Sequence, residues 1–480
     1  MIAYLDGPAS RALALGLAAL LAGCSMAPAY RRPDVQIPST LVGDASPVAS
    51  ASPAPVELTA DERAFLHAFA PDRDLQPLVA KALARNADYR LAALQVEQAR
   101  AQYRIERSAR LPTVAIGAAQ SRQRFDDKEL DQRYQQDLVT TSAGIEGFEL
   151  DFFGRIKSLS EAARERYLAS TYGRQAARGA LIGEVLRAYV LERAADEALA
   201  SARAIEDDNE ALLAITVRQH EVGLLARDEL DRQRARTDQA RTSAQQAGDD
   251  RRAALRALQV LAGYDVVPDA GGLAALAASG ASLPALRDLD SKVLLQRPDI
   301  QQAEAELRAA NADIGAARAA FFPSIRLSTS LGTASGDLSG LFDSGSRMWS
   351  FMPQLTLPIF DFGRNRANLD LAWTRRQAGV AGYEKTIQAA FREVADALDA
   401  QATLGQANAR QGEEAMRAQQ RAERLSERAD HGLADRTDLL ETRMQAAQAA
   451  LDSTQARRDA ALNRIALFRA FYGVALSTPL

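Results

Sequence analysis

From residue 75 to residue 110, apolar positions recur at helical spacing (Leu78, Ala82, Leu91, Leu94), and Pro112 closes the pattern. The period then falls to two. In residues 324–332, Ile325, Leu327, Thr329 and Leu331 share one face, and Ser324, Arg326, Ser328 and Ser330 share the other. In residues 349–359, Trp349, Phe351, Leu355, Leu357 and Ile359 alternate with Ser350, Gln354 and Thr356. Residues 113–124 and 138–150 alternate less strictly. These four segments read as strands of roughly ten residues, a length that suits a tilted transmembrane β-strand. A half-buried strand of a soluble sandwich shows the same alternation.

After Gly154-Arg155 and Gly363-Arg364 come two stretches without proline, residues 156–220 and 365–430. Each predicts a rod of nearly 100 Å at about 1.5 Å per residue. Both are rich in Ala, Gln, Glu and Arg with a thin apolar stripe, so they need side-by-side packing to be stable. Gly223 and Gly432 end the rods, and shorter helices return over residues 228–261 and 438–468.

The chain says nearly the same thing twice. Arg110-Leu111-Pro112 is answered by Phe321-Phe322-Pro323, Asp151-Phe152-Phe153-Gly154-Arg155 by Phe360-Asp361-Phe362-Gly363-Arg364, and Val222-Gly223-Leu224 by His431-Gly432-Leu433. A period near 210 is too long for a solenoid and predicts a duplicated half-molecule.

The amino-terminal stretch reads as a targeting signal. Arg11 precedes a short apolar run that ends in Leu21-Ala22-Gly23-Cys24, and Cys24 is the only cysteine in 480 residues. The spelling resembles a bacterial lipobox, which implies cleavage before Cys24 and a lipid on its thiol. Ser25 in the next position implies sorting to the outer membrane. The alternative is an ordinary signal peptide containing a cysteine. A lipidated Cys24 leaves no thiol for disulfides or metals. Residues 25–58 are rich in Pro, Ala and Ser and predict an extended tether. Order is expected to begin near Phe65 and Phe69.

Composition narrows the classes. Mean hydropathy is -0.22 and a quarter of the residues are charged. Past the signal, no apolar run reaches the length of a membrane helix, so a membrane crossing requires a closed β-barrel. Four strands are too few to close one, so several chains are required. A net charge of -4 without a basic block argues against nucleic acid. Neither a nucleophile–base arrangement nor a phosphate loop is visible, so neither an enzyme nor a cofactor is expected.

Several short motifs then share one order and spacing with a known family. They are Arg297-Pro298-Asp299-Ile300, the run from Ala309 to Arg318, Phe321-Phe322-Pro323-Ser324-Ile325, the run from Pro358 to Arg364, and Arg392-Glu393-Val394-Ala395-Asp396-Ala397-Leu398. Over residues 65–480 the chain resembles the TolC-like outer-membrane efflux channels, in the lipoprotein branch that serves RND-type exporters. It departs from the pattern in two places. Phe65 and Phe69 stand near where paired tryptophans are usual, and Ala429 replaces a tyrosine before the second tip.

The resemblance implies a mixed α/β membrane protein. Three protomers of four strands form a 12-stranded β-barrel, continued by a long α-helical barrel with an equatorial collar built from the chain ends and residues 265–290. It divides the chain into a signal peptide (1–23), a lipidated tether (24–62), a first repeat (63–265), an equatorial linker (266–287) and a second repeat (288–480). The implied partners are a periplasmic adaptor, an inner-membrane RND-type pump and outer-membrane lipid. The implied function is a passive efflux conduit for drugs or other toxic small molecules. The exit duct of a type I secretion system shares the architecture, and a poreless coiled-coil scaffold lipoprotein is the rival from another class.

The resemblance also implies site residues. Asp438 and Glu441, three apart on one helix face, correspond to acidic rings that narrow the periplasmic end, with Arg436 and Arg443 placed to pair with them across protomers. An ordinary solvated helix start favours acidic residues too. Val222, Gly223, Leu224, Gly432 and Leu433 match the tips that meet the adaptor; the glycines serve the turns in either case. His220 and His431 lie at the tips, where a pH-sensitive seal and chance placement both remain open; His67 is the third histidine. Glu393, Asp396 and Asp399 step along the second rod as an acidic lumen stripe or a solvated face. Trp349, Phe351 and Phe360 form an interfacial girdle or simply pack.

Overall fold

The computed structural model describes residues 26–33, 56–71, 73–127, 132–264, 266, 273 and 290–474. The lipobox with Cys24, most of the tether and nearly all of the linker at 266–287 lie outside the described residues. Residues 26–33 are exposed and form neither helix nor strand. They belong to a unit separate from the rest of the chain, which starts at Ala51.

Helix α1 (Ala60–Phe69) opens on a capping box, with Thr59 Oγ1 accepting from the Glu62 amide and the Glu62 carboxylate accepting from the Thr59 amide. The single helix expected over residues 75–110 is two, α2 (Gln76–Arg85) and α3 (Ala87–Ser108). Asn86 breaks it: its backbone is extended and its side chain accepts from the Tyr89 amide at 3.0 Å. A short polar side chain competes with the helix for the backbone, a signal that apolar spacing does not carry.

Strands β1 (Val114–Asp127), β2 (Gln132–Leu150), β3 (Ser324–Ser335) and β4 (Arg347–Thr356) form one antiparallel sheet in the order β1-β2-β3-β4. Two hairpins meet at the β2–β3 seam, and β1 and β4 are left as open edges. The fourth strand stops before Pro358.

Rods α4 (Arg155–Glu221) and α7 (Arg364–Asp430) each run 67 residues. Both start on a glycine in the left-handed region, Gly154 (φ 74°) and Gly363 (φ 86°). Aspartates cap the exposed amides. Asp151 accepts from Ile156 and Lys157, and Asp361 accepts from Gly363 and Asn365. This is the physical content of the repeated Asp…Gly-Arg motif. The return helices are α5 (Arg227–Ala262) and α8 (Arg436–Ala470), and α6 (Pro298–Ala319) leads into β3.

The helices keep the order of the strands. Near the sheet α4 lies between α3 and α6, and towards the tips it lies between α5 and α8. Rod α7 packs on α6 and α8. The wall therefore reads α3/α5, α4, α6/α8, α7, matching β1, β2, β3, β4. The two rods differ in what they bury. Rod α4 buries Leu181, Ile182, Val185, Leu186, Val190, Leu199 and Leu212, whereas α7 buries only alanines, among them Ala390 and Ala418.

The main core sits at mid-height. Phe65, Leu66, Phe69, Val79 and Leu83 pack on Ile182, Val185 and Leu186 of α4, Leu258 of α5 and Ile465 and Phe468 of α8. Phe65 and Phe468 stack with ring centroids 4.0 Å apart, which joins α1 to the last helix.

Candidate functional site: a channel wall and its tips

Register assigns the sheet two unlike faces, because directly paired residues project to the same side. One face carries Val114 and Ile116, Ala143, Ile145 and Phe148, Leu327 and Leu331, and Trp349, Phe351 and Leu355. These side chains are largely open in the single chain; Ile116 is 83% exposed and Trp349 76%. The other face carries mostly small or polar residues, Ala115, Gly117 and Ala119, Thr140, Ser142 and Gly144, Arg326, Ser328, Ser330 and Gly332, and Ser350, Gln354 and Thr356, together with Met348 and Met352. An apolar outer band over a polar, small-residue inner face is the signature of a barrel wall in lipid. Pairing thus resolves the weak alternation of the first two strands. A β-bulge at Gly147 (φ 63°) inserts one residue into β2, and the Gly147 amide donates to Ser328 Oγ at 3.0 Å.

The face carrying Gly144 and Gly332 is crowded at the seam. A Cβ on Gly144 would run into the Thr329 carbonyl oxygen, and one on Gly332 into that of Thr141. At the boundary between sheet and rods, Phe152, Phe153, Phe321, Phe322, Phe360 and Phe362 gather with much of their surface open, Phe153 stacking on Phe322 at 4.7 Å. Of the three aromatics singled out in the sequence, Phe360 belongs to this boundary set, while Trp349 and Phe351 lie within β4, paired with Leu331 and Thr329.

The two tips share one backbone motif. Leu224 N–H donates to Gln219 O and Gly223 N–H to His220 O; Leu433 N–H donates to Arg428 O and Gly432 N–H to Ala429 O. With φ of 78° at Gly223 and 70° at Gly432, these are Schellman closures. Val222, Leu224 and Leu433 are left exposed at the turns. The His220 ring is held by Nδ1 against the Leu225 carbonyl at 2.9 Å, so it closes its own turn, while His431 and His67 are exposed.

Just past the second tip, Asp435 caps α8 by accepting from Thr437. Asp438, Glu441 and Arg436 are exposed. Arg443 is already engaged within the chain, Nη2 lying 3.2 Å from Oδ1 of Asp208 on α4. Glu393, one of the three acidic steps on the second rod, meets Arg297 at 2.8 Å instead of forming a free stripe.

Arg297 is buried. It donates to Asp299, to Glu393 and to the Ala470 carbonyl at the end of α8, so it rivets α6, α7 and α8 at mid-height. Burial disfavours its cation, but the two carboxylates more than offset this and raise its pKa. Sequence reading saw Arg297-Pro298-Asp299-Ile300 as a family mark without this role. A second junction, equally missed, joins Glu62, Arg178 and Tyr472. Arg178 Nε and Nη2 donate to the two Glu62 oxygens at 2.7 and 2.9 Å, and the Tyr472 hydroxyl donates to Glu62 at 2.9 Å. No spacing rule links residues more than a hundred positions apart.

Comparison with known proteins agrees with this architecture. The outer membrane efflux protein family matches residues 78–264 and 289–471. The chain is 43% identical over 425 residues to outer membrane protein OprJ of Pseudomonas aeruginosa, covering 86% of this chain and 84% of that one. It is 38% identical over 392 residues to the probable outer membrane lipoprotein SilC of Salmonella typhimurium, covering 81% and 82%. Among solved structures, the open state of the Neisseria gonorrhoeae MtrE outer membrane channel superposes with a TM-score of 0.72 at 35% identity, covering 93% of this chain and 98% of that one.

The chain belongs to the outer membrane efflux protein family. It is an outer-membrane channel subunit of an efflux pump, a transport conduit and not an enzyme.

Proposed function

We propose that three copies of this chain close into one duct that carries toxic small molecules from an inner-membrane RND-type pump, through a periplasmic adaptor, to the exterior. The observation that carries this reading is the shared edge order of sheet and helices. Each protomer leaves β1 with α3/α5 open on one side and β4 with α7 open on the other. An exposed strand edge in lipid leaves amides and carbonyls unpaired, and head-to-tail closure removes every edge at once. Three sets of four strands give twelve. The Leu21-Ala22-Gly23-Cys24 segment supports a diacylglyceryl anchor on Cys24, and the likeness to a probable outer membrane lipoprotein agrees with it.

In the purified channel, cysteines placed on the edge strands at Ala119 and Ser350 are expected to cross-link with a bifunctional maleimide into covalent dimers and trimers but no larger species. Planar bilayers should show discrete conductance steps. A monomer without conductance would support the poreless scaffold and overturn the duct.

Val222, Leu224 and Leu433 present exposed apolar side chains on turns closed at Gly223 and Gly432, which suits docking of an adaptor hairpin. Asp438 and Glu441 supply the acidic narrowing of the periplasmic end, where like charges around a confined axis favour cations. Replacing both with Ala is expected to raise single-channel conductance and weaken cation preference, read from the reversal potential in a salt gradient. Conductance and reversal potential equal to wild type would remove these residues from the gate.

A further inference from the structure

Helices α4 and α8 run antiparallel and are tied by three rungs, acidic on α4 and basic on α8. At mid-height Arg469 Nη1 lies 3.2 Å from Glu184. Midway to the tips, Glu197 accepts from Thr454 Oγ1 at 2.9 Å with Arg457 Nη2 at 3.7 Å. Nearest the tips, Arg443 Nη2 lies 3.2 Å from Asp208. The rungs become drier towards the tips, since the acidic side chain is 44% exposed at Glu184, 23% at Glu197 and 6% at Asp208. The same order brings them closer to the narrow end.

The lowest rung sits where it controls the rotation of α8. Arg443 faces α4 through Asp208, and Leu440, one turn before it on α8, is buried. At about 100° per residue, Asp438 lies on the far side of the helix from Arg443, while Glu441 lines a cleft with Ile205, Asn209 and Leu212 of α4 and Gln233 of α5. Across the joint, Asn209 ties α4 to α5 through Gln233 and Thr237, so the α4–α5 pair is itself braced at this height. The Arg443–Asp208 pair is thus the ion pair nearest the tips between the two helical hairpins among the described residues.

We propose that Asp208 is a positioning residue of the periplasmic gate: it clasps Arg443, holds α8 against α4, and so aims the Asp438/Glu441 face that narrows the duct. This rests on the channel reading above and adds the element that sets its resting width. Arg443 then acts inside its own protomer and not as a counter-ion to the acidic ring. Replacing either partner frees the end of α8 while the Glu197 and Glu184 rungs keep the hairpins joined higher up.

Protonation releases the same clasp. Burial raises the Asp208 carboxyl above the ordinary carboxylate range, Arg443 opposes this, and neighbouring Asp207 adds to it. From α5, Gln233 and Thr237 are neutral and bonded to Asn209, and Arg241 is committed to Glu210. A raised pKa means that the charge on Asp208 is lost at milder acidity than on an ordinary aspartate, so the clasp weakens as pH falls.

The test is single-channel recording on purified full-length protein carrying Asp208→Asn, Arg443→Gln, the double variant and Asp208→Glu, each checked for an intact oligomer on a detergent gel. Asp208→Asn and Arg443→Gln should each raise conductance severalfold at neutral pH. The double variant should go no further than either single, because both release one clasp, and Asp208→Glu should stay near wild type. Acidification should raise wild-type conductance and leave Asp208→Asn flat. Wild-type conductance in both single variants, or the same pH response in Asp208→Asn as in wild type, would overturn the proposal. A wild type that forms no pore would sink the channel reading itself, and this inference with it.

Discussion

Arg178→Ala is expected to destabilise the helical part by about 3–5 kcal/mol at neutral pH, the cost of leaving a buried carboxylate without its partner. Glu62 is 2% exposed and receives two guanidinium hydrogen bonds from Arg178. Arg178 also donates to the Glu57 carbonyl at 2.7 Å, so one side chain fastens the segment before α1 to the first rod. Tyr472 brings the other end of the chain to the same carboxylate. The loss is measurable as an earlier thermal transition of the helical signal in detergent.

The pH dependence has a definite sign. Burial alone raises the Glu62 pKa; Arg178, the Thr59 amide and the Tyr472 hydroxyl more than offset it, so the net shift is downward. A carboxylate with a depressed folded-state pKa stabilises the fold above its unfolded value and loses that contribution as pH falls through the folded one. Without Arg178 the opposing influence is mostly gone and burial moves Glu62 upward. The variant is then penalised at neutral pH and relieved when Glu62 protonates. The stability gap between wild type and Arg178→Ala should narrow as pH falls from neutrality into the carboxylate range. A gap that stays constant would show that Arg178 acts through packing alone.

Gly332→Ala is expected to block barrel formation, while Gly117→Ala in the same cross-strand row is tolerated. Gly117 pairs with Ser142, and Ser142 pairs in turn with Gly332. A Cβ at Gly117 meets nothing in the protomer, whereas one at Gly332 strikes the β2 backbone at Thr141 and Ser142. Backbone cannot rotate away as a side chain can, so the clash costs about 1–3 kcal/mol or more in each protomer. The β2–β3 seam joins the two hairpins, so its loss leaves no four-stranded wall. Detergent-resistant oligomers should be absent from Gly332→Ala and present in Gly117→Ala; oligomers of equal amount in both would refute the steric argument.

The elements were legible in the sequence because each is dictated locally. Period-two alternation marked β3 and β4, absence of proline marked the rods, and Gly223 and Gly432 marked the tips. The boundaries agree with the structure within a few residues, apart from the break at Asn86 and the longer β1–β2 hairpin. The need for several chains also followed from the sequence, since four strands cannot close a barrel whatever their residues.

Tertiary structure decided who meets whom. That Glu393 belongs to Arg297, Arg443 to Asp208, and Glu62 to Arg178 and Tyr472 depends on how two rods and their return helices lie side by side. Helical period restricts a charged residue to a face of its own helix and is silent about the residue opposite. The inner face of β1 and β2 was likewise invisible until register placed Gly117 and Gly144 beside Ser142 and Ser330. Local periodicity follows from the geometry of a single chain segment, whereas pairing of buried charges follows from desolvation, which exists only once distant segments have closed around them.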